Sequence, residues 1–357
     1  MSAFDDVIDS FKTTQRKWLV TGVAGFIGSN LAEFLLRHNQ LVVGVDNFST
    51  GYRSNLDDML FQVGVDAAKN FTFLECDIVD FNSCLKACRG VDIILHQAAL
   101  GSVPRSIDDP VTSNLSNVTG FLNLLTAAKD SGVKRFVYAS SSSVYGDSQE
   151  LPKVEERVGD LLSPYAVTKR VNELYAGVFH KCYGMEPIGL RYFNVFGKRQ
   201  DPNGAYAAVI PKWLGALMGG EDVYINGDGE TSRDFTYIDN VIQSNILAGT
   251  TTNKKAFAEV FNAGIGGQLT LNDLYGSINR ELEENLDGFV AKKAIYREFR
   301  AGDIRHSNAN IDKLKTVVGY RPTHDVDRGL SESIKWYIQN LSKQSQKASI
   351  QTDNTRL

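Results

Sequence analysis

Cysteine, histidine and long apolar runs are scarce in this chain of 357 residues, and each scarcity removes a class of protein. The four cysteines are Cys76, Cys84, Cys88 and Cys182. Cys84 and Cys88 stand one helical turn apart, which suits neither a zinc ribbon nor a redox pair. Reduced packing cysteines in a cytosolic protein are the expectation. The five histidines (38, 96, 180, 306 and 324) are dispersed without metal-ligand spacing, so no metal is expected. His96, at a strand end, reads as a satisfied structural residue. No apolar stretch is long enough to cross a bilayer. The opening Met1-Ser2-Ala3-Phe4-Asp5-Asp6 is acidic where a signal peptide is basic. A soluble, cytoplasmic protein is expected. There is no excess of basic charge either: 38 Lys and Arg face 42 Asp and Glu, for a net charge of −4. That balance argues against non-specific nucleic-acid binding and leaves phosphate contacts to a few placed arginines. No internal repeat occurs.

What remains is an ordinary globular composition, 43% hydrophobic and 22% charged, enough to bury a core without metal or disulfide. Phe4, Val7, Ile8 and Phe11 recur at helical spacing and predict a short amphipathic helix ahead of the fold. Strand-like runs at 18–21, 41–45, 71–74, 91–95 and 133–139 then alternate with helical patterns, clearest at 26–37 and 117–129. The strands are continuous apolar runs, as expected when both faces of a parallel sheet are covered. The fold class is α/β, a Rossmann-type doubly wound parallel sheet with a smaller α/β substrate-binding lobe. Residues 195–236, rich in Gly, Tyr, Asn and Asp, suit a loop-dominated, ligand-binding segment. Residues 238–247 look helical and 258–262 strand-like, so the chain rejoins the sheet there. The expected division is 1–194 with 238–263 for the sheet domain, and 195–237 with 264–341 for the lobe. A polar tail, 342–357, is expected to be disordered.

The turn Thr21-Gly22-Val23-Ala24-Gly25-Phe26-Ile27-Gly28 ends the first strand and opens the first helix of the sheet. Gly22 permits a tight turn, Gly25 lets backbone approach a pyrophosphate, and Gly28 lets the helix pack close to the sheet. A glycine triplet alone is weak evidence, since a glycine-rich turn needs no ligand. Asp46, ending the second strand eighteen residues after Gly28, strengthens it. A carboxylate there accepts both adenosine ribose hydroxyls and repels a 2′-phosphate, which selects NAD over NADP.

The GxxGxxG spacing resembles the short-chain dehydrogenase/reductase superfamily, and Gly25-Phe26-Ile27-Gly28 resembles its extended branch, over nearly the whole chain. The resemblance implies that Asn47, Ser49, Thr50 and Gly51 surround the ribose and that Asp77 and Ile78 flank the adenine. It also implies that Gln97, Ala98 and Ala99 line the strand edge facing the cofactor, which Val195 also touches. Without the family, Asp77 reads as a turn aspartate.

Tyr165 and Lys169 stand in Ser163-Pro164-Tyr165-Ala166-Val167-Thr168-Lys169, where Pro164 suits a helix start and the four-residue spacing puts both on one face. A phenol with a pKa of about 10 is a poor base, but a nearby ammonium and a positive nicotinamide favour the phenolate. A bare Tyr-x-x-x-Lys is common on helix surfaces. Placed after the strand and Ser140-Ser141-Ser142-Ser143-Val144-Tyr145-Gly146, it resembles the superfamily's active site, with Ser141 as the catalytic serine. Ser142 and Ser143 would approach the substrate. The superfamily's nucleotide-sugar dehydratases carry Asp-Glu before Val-Tyr-Gly and its decarboxylases carry Glu. Serines here leave oxidation followed by return of the hydride.

Arg191-Tyr192-Phe193-Asn194-Val195-Phe196-Gly197, Gly229…Arg233-Asp234 and Arg300-Ala301-Gly302-Asp303 resemble UDP-hexose 4-epimerases. Gly101-Ser102-Val103-Pro104-Arg105-Ser106 and Ala207-Ala208-Val209-Ile210-Pro211-Lys212-Trp213 resemble the subgroup acting on UDP-N-acetylhexosamines or their uronic acids. By that resemblance Arg233 and Arg300 clamp the diphosphate, and Asn194 bonds the pyrophosphate or the sugar. Ala208, Val209, Tyr224 and Asn226 surround uridine, with Ser102, Trp213 and Asp303 also at the substrate. Ser307, seven residues after Arg300, leaves room for an acetamido group where glucose-restricted enzymes hold tyrosine. The resemblance further implies a homodimer through 110–130 and 164–180, and fits surface-polysaccharide precursor synthesis. The rival readings are a uronic-acid epimerase, a net oxidoreductase and a non-catalytic NAD-binding regulator. The intact Ser141, Tyr165 and Lys169 set weighs against the last.

Overall fold

The apolar runs hydrogen-bond side by side as a seven-stranded parallel sheet in the computed structural model, which describes residues 2–203, 207–299 and 304–354, with side chains to residue 340. The first six strands are β1 (Lys17–Thr21), β2 (Leu41–Asp46), β3 (Phe71–Glu75), β4 (Ile93–His96), β5 (Arg135–Ser141) and β6 (Glu186–Tyr192). Four short strands follow, β7 (Val195–Phe196), β8 (Tyr224–Asn226), β9 (Ser232–Arg233) and β10 (Thr236–Tyr237), before β11 (Val260–Ala263) returns to the sheet. Then come β12 (Leu269–Thr270) and β13 (Ile295–Arg297). The large sheet runs β11-β6-β5-β4-β1-β2-β3, so the strand order reverses beside β1. Ligands of doubly wound sheets bind outside the carboxyl ends of the strands at such a reversal.

The helices are α1 (Ala3–Phe11), α2 (Phe26–Arg37), α3 (Arg53–Ala68), α4 (Phe81–Ala87), α5 (Val103–Asp108), α6 (Pro110–Asn114) and α7 (Phe121–Asp130), a π-helical turn at Leu115–Gly120 joining the last two. After them come α8 (Pro164–Tyr183), α9 (Val209–Met218), α10 (Ile238–Thr250), α11 (Leu271–Asn285), α12 (Asp312–Val318) and α13 (Val326–Asn354). Alternate strand residues feed two separate cores. Val20, Leu95 and Val137 pack with Leu35 of α2, Met59 of α3 and Val241 of α10. Leu19, Ile94 and Phe136 pack with Cys84 of α4, Leu125 of α7 and Phe179 of α8. Period-two alternation therefore persists beneath a sequence that reads as continuously apolar, because each face meets its own helices. Cys84 and Cys88 are free and buried, with thiols pushed up to about 12 by burial.

Two differences from the expected layout have plain causes. Within 195–236, expected to be loop-dominated, α9 forms because Ile210, Trp213, Leu214 and Leu217 make one buried stripe. The polar stretch after Leu341, expected to be disordered, continues α13 to Asn354. That stretch holds neither Gly nor Pro, and its Lys, Gln and Ala carry little helix cost.

Two buried groups tie the later segments together, one within the lobe and one onto α10. Asp234 accepts backbone N–H bonds from Ile265 (3.1 Å), Gly266 (3.0 Å) and Ala309 (3.2 Å), and burial pushes its carboxyl up to about 6. His324 lies 3.2 Å from Glu332 of α13 and 4.0 Å from Asp239 of α10. Glu332 also meets the Tyr237 hydroxyl (3.2 Å) and Arg328 (3.3 Å), so its oxygens are shared within an ion-pair clamp.

His96 sits at the reversal point with Nδ1 2.8 Å from the Thr21 hydroxyl and its ring 5.5 Å from that of Phe121. Burial, helped by the charge of Lys169, pushes the imidazole down to about 3. Between that value and the unfolded value of 6.5, the unfolded chain binds the extra proton. Stability from this residue is therefore present above pH 6.5 and is lost as pH falls toward 3, at about 1.4 kcal/mol per pH unit. Asp234, raised in the fold, acts in the opposite sense at lower pH. Urea unfolding of wild type and His96→Gln at pH 7 and pH 5 is expected to show a gentler acid loss in the variant, Asp234 cancelling in the difference. Equal losses refute the assignment.

Candidate active site

The first cleft is built by the turn after β1. Gly22 takes φ +67°, open to glycine at little cost, and donates its N–H to the Val45 carbonyl (2.8 Å). Its own carbonyl accepts from Gly25 N–H (3.0 Å), folding the turn back over the start of α2. A Cβ on Gly28 would lie 2.1 Å from that carbonyl, so this close approach excludes any other residue without a backbone shift. Gly25, as N-cap, offers no side chain to the first N–H groups of α2, which are left for an anion. Asp46, 8% exposed, ends β2 at the opposite lip and accepts N–H bonds from Ala24 (2.9 Å) and Phe48 (2.8 Å). Burial raises its carboxyl and these bonds oppose it.

The resulting cavity of about 320 Å³ is lined by Gly22, Gly25, Phe26, Ile27, Gly28, Asp46, Asn47, Ser49, Thr50, Gly51, Asp77, Ile78, Gln97, Ala98 and Ala99. Asp77 also serves as a turn residue, accepting from Val79 N–H and Asn47 Nδ2, both at 2.8 Å. Sequence reasoning missed Val45, Cys76, Gly101 and Ser116 in this lining. Ser116 reaches it from the π-helical turn, which no local pattern announces.

The second group gathers where β5 meets α8. Lys169, 3% exposed, donates to the Ala139 carbonyl (2.7 Å), and its Nζ lies 5.8 Å from the centre of the Tyr165 ring. Burial pushes the ammonium down to about 8, with the Glu173 carboxylate opposing. Tyr165 donates its N–H to Ser106 Oγ of α5 (3.0 Å), and its hydroxyl faces that of Ser141. Burial raises the phenol and the Ser141 hydroxyl opposes that rise. The protein's packing thus works against ionisation, and the lowering that a proton-abstracting phenol needs must come from cationic charge at Lys169 and at a bound nicotinamide. Ser141 Oγ accepts from Ser143 N–H (3.1 Å), and the Ser143 hydroxyl is buried without a partner, as a group reserved for a ligand would be.

A further cavity, about 430 Å³, opens between β7, α9, β8 and β9. Asn194, Ala208, Val209, Trp213, Tyr224, Asn226 and Arg233 line it; so does Val195, expected at the cofactor but carried here by β7, and so do Lys212, Thr231 and Arg297, which sequence reasoning did not place there. Lys212 stood in a recognised string. Arg297 had no signal, and its guanidinium now lies 3.3 Å from the centre of the Tyr224 ring because β13 pairs with β8. Arg233 Nη1 donates to the Ser232 (2.9 Å) and Arg305 (3.2 Å) carbonyls, which fixes the guanidinium at the wall. Ser307 is not among the lining residues; it is joined to β9 by its N–H, which donates to the Ser232 carbonyl (3.1 Å). Arg300 and Asp303 lie outside the described residues. Ser102 (φ +98°) and Asn194 (φ +29°) hold left-handed backbone that non-glycine residues seldom adopt, and such strain concentrates at functional sites. Ser102 caps α5, accepting from Arg105 N–H (3.3 Å).

Residues 18–264 match the NAD dependent epimerase/dehydratase family. The chain belongs to that family. It is 35% identical over 329 residues to a UDP-glucuronate 4-epimerase of Thermodesulfobacterium geofontis, covering 91% of this chain and 97% of the relative. The UDP-N-acetylglucosamine 4-epimerase of Methanobrevibacter ruminantium M1, solved with UDP-N-acetylmuramic acid, is 36% identical at a TM-score of 0.83, covering 92% of this chain and all of that one. A dTDP-glucose 4,6-dehydratase of Streptomyces venezuelae, solved with NAD, is 30% identical at a TM-score of 0.79, covering 91% of this chain and 97% of that one.

NAD is the cofactor of this enzyme, and the glycine cradle with Asp46 at its lip fits it. When bound, NAD supplies a hydride acceptor and donor. Purified protein is expected to release NAD(H), and no NADP(H), on denaturation. Gly28→Ala pushes a methyl group into the Gly22 carbonyl, and overpacking of this kind costs about 1–3 kcal/mol. Thermal unfolding and nucleotide content should both fall in that variant; wild-type values for both would remove Gly28 from the cradle.

Proposed function

We propose that this NAD-dependent UDP-sugar 4-epimerase interconverts UDP-N-acetylglucosamine and UDP-N-acetylgalactosamine through a 4-keto sugar, in the supply of surface-polysaccharide precursors. The observation that carries the reaction type is the all-serine end of β5. Ser141 stands beside Tyr165, and Ser142 and Ser143 follow it directly with no carboxylate among the three. Tyr165, assisted by Ser141, takes the proton of the 4-hydroxyl as the C4 hydride leaves for the cofactor. Lys169 stabilises the phenolate. The keto sugar turns about its link to UDP, and the hydride returns to the opposite face while Tyr165 gives the proton back. The nucleotide half occupies the cavity between α9 and β8, with Arg233 at the diphosphate. NAD is regenerated in each turnover, so no added cofactor is consumed.

Three features support the acetamido sugar: the Ala207–Trp213 string, the likeness to an N-acetylglucosamine 4-epimerase, and the small Ser307 beside β9. The likeness to a UDP-glucuronate 4-epimerase favours a second reading, a sugar with a carboxylate at C6. Assay of UDP-GlcNAc, its uronate and UDP-glucose without added NAD separates the two and also tests for net oxidation.

A homodimer is part of the proposal. Val111 and Leu115 stand exposed near Val167, Leu174 and Val178, which share one face of α8. Leu174→Glu should shift the sedimentation coefficient toward that of a monomer, and a wild-type value would place the contact elsewhere.

Tyr165→Phe is expected to retain NAD and lose roughly 100-fold or more in kcat, the scale of a removed general base. Near-normal turnover sinks the assignment. Ser307→Tyr would fill the acetamido space at about 1–3 kcal/mol, equivalent to roughly 5- to 150-fold in rate. The loss should fall on UDP-GlcNAc and UDP-GalNAc and spare UDP-Glc and UDP-Gal. Equal effects on all four remove Ser307 from specificity.

A further inference from the structure

Three successive residues of β5 are each gripped by α8, one helical turn apart. The Ala139 carbonyl accepts from Lys169 (2.7 Å), the Ser140 hydroxyl donates to Glu173 (2.7 Å), and the Ser141 hydroxyl faces that of Tyr165. Tyr165, Lys169 and Glu173 occupy positions i, i+4 and i+8, one face of the helix. Two of these helix residues already have roles in the proposed reaction. Glu173 has none.

Its surroundings are unusually complete. Glu173 is 6% exposed, and Arg191 of β6 takes it with two bonds, Nε to Oε1 and Nη2 to Oε2, both at 2.9 Å. Arg170 adds a third cationic bond (2.8 Å). Arg191 is in turn held by the Glu155 carbonyl (2.9 Å) and lies 4.8 Å from the centre of the Tyr145 ring. A carboxylate fixed by a planar fork cannot swing, so the Ser140 bond sets where β5 ends relative to α8.

We propose that Glu173 is a positioning residue for the reaction: its carboxylate, locked on Arg191, holds the β5 end that presents Ser141 and supplies the negative charge facing the Lys169 ammonium. This rests on the reading of Tyr165 as the base. The other titratable groups around the cluster are His96 of β4, Tyr138 of β5, Tyr165 and Arg170 of α8, Tyr145 and Arg191. His96 is neutral there, since burial keeps its imidazole down at about 3. Tyr138 is kept protonated by burial and by Glu173 itself. Glu173 is the group that opposes the loss of the Lys169 proton, which burial otherwise favours. Removing its charge makes Lys169 lose that proton at lower pH, and the phenolate loses its cation there.

The test is the pH profile of kcat for the NAD-loaded enzyme between pH 6 and 10, on a UDP-sugar turned over by wild type. Glu173→Gln should move the alkaline limb down by about one pH unit, the low end of what an adjacent opposite charge contributes. The double variant Glu173→Gln/Arg191→Gln removes both charges, leaves no buried guanidinium unpaired, and should shift the limb in the same direction by less, because the lost cation partly offsets the lost carboxylate. Glu173→Asp keeps the charge on a shorter arm, so its limb should stay in place while kcat falls and KM does not change. A merely structural role would lower the whole profile without moving its limb, and an unmoved limb in the glutamine variants overturns the proposal. If neither glutamine variant folds, wild-type kcat in both Glu173→Asp and Ser140→Ala overturns it. Tyr165→Phe, run in parallel, separates the two levels. Normal turnover there sinks the reading of the base, whereas an inactive Tyr165→Phe with an unmoved limb sinks Glu173 alone.

Discussion

Holding one ammonium out of water is the constraint around which the rest of this molecule is arranged. An isolated cation is not left in a protein interior, because desolvation makes it lose its proton instead. Lys169 keeps a carbonyl and a neighbouring carboxylate, and both requirements bear on architecture. The carbonyl must come from the end of β5, so α8 has to lie against that strand. The carboxylate needs its own cation, which β6 supplies as Arg191. Three neighbouring elements are thus fixed by the needs of one charge, and the hydroxyls of Ser141 and Tyr165 meet as a consequence. A buried ion pair of this kind is weak evidence of stability. Here it serves placement.

The two cavities divide along the same logic. The phosphate end of the cofactor cleft is backbone set by Gly22, Gly25 and Gly28, because phosphates are met by N–H groups and need close approach. The other cavity is built from side chains on short strands that contact one another across long sequence separations. Asp234 holds these segments together through N–H bonds from Ile265, Gly266 and Ala309. The two cavities are brought toward each other by β6, since Asn194 and Val195 follow it directly and line the second cavity. The reversal of strand order beside β1 opens the first.

How much of this was legible follows from the range of the interactions. The glycine turn, Asp46 and the Tyr165–Lys169 pair are local patterns, and a single strand or helix is enough to bring each set together. Cofactor choice could therefore be argued from the chain alone. The burial that raises the Tyr165 phenol was not legible, because burial is a property of the packed state rather than of the local pattern. Helix α9 carried its apolar stripe in plain sight, but the surrounding Gly, Asn and Asp masked it. Arg297 was illegible for a different reason. Only the pairing of β13 with β8 brings it over Tyr224, and three-residue strands leave little periodicity to read.

The likeness to an epimerase at a TM-score of 0.83 and to a dehydratase at 0.79 shows that the scaffold does not choose the reaction. In the proposed reaction the first step, removal of hydrogen from C4, needs only the base, its cation and the cofactor cradle. What happens to the keto sugar depends on whether a group stands ready to eliminate water or merely to let the sugar turn. In the proposed reaction that choice falls to the uncharged side chains at and just after the end of β5, where the Ser143 hydroxyl is buried and unpartnered. A carboxylate at that position would bring an acid or base into contact with the ring, whereas a hydroxyl can follow the sugar through either orientation, as donor or as acceptor. Reversible inversion asks for this tolerance, because both faces of one intermediate must be bound by the same residues.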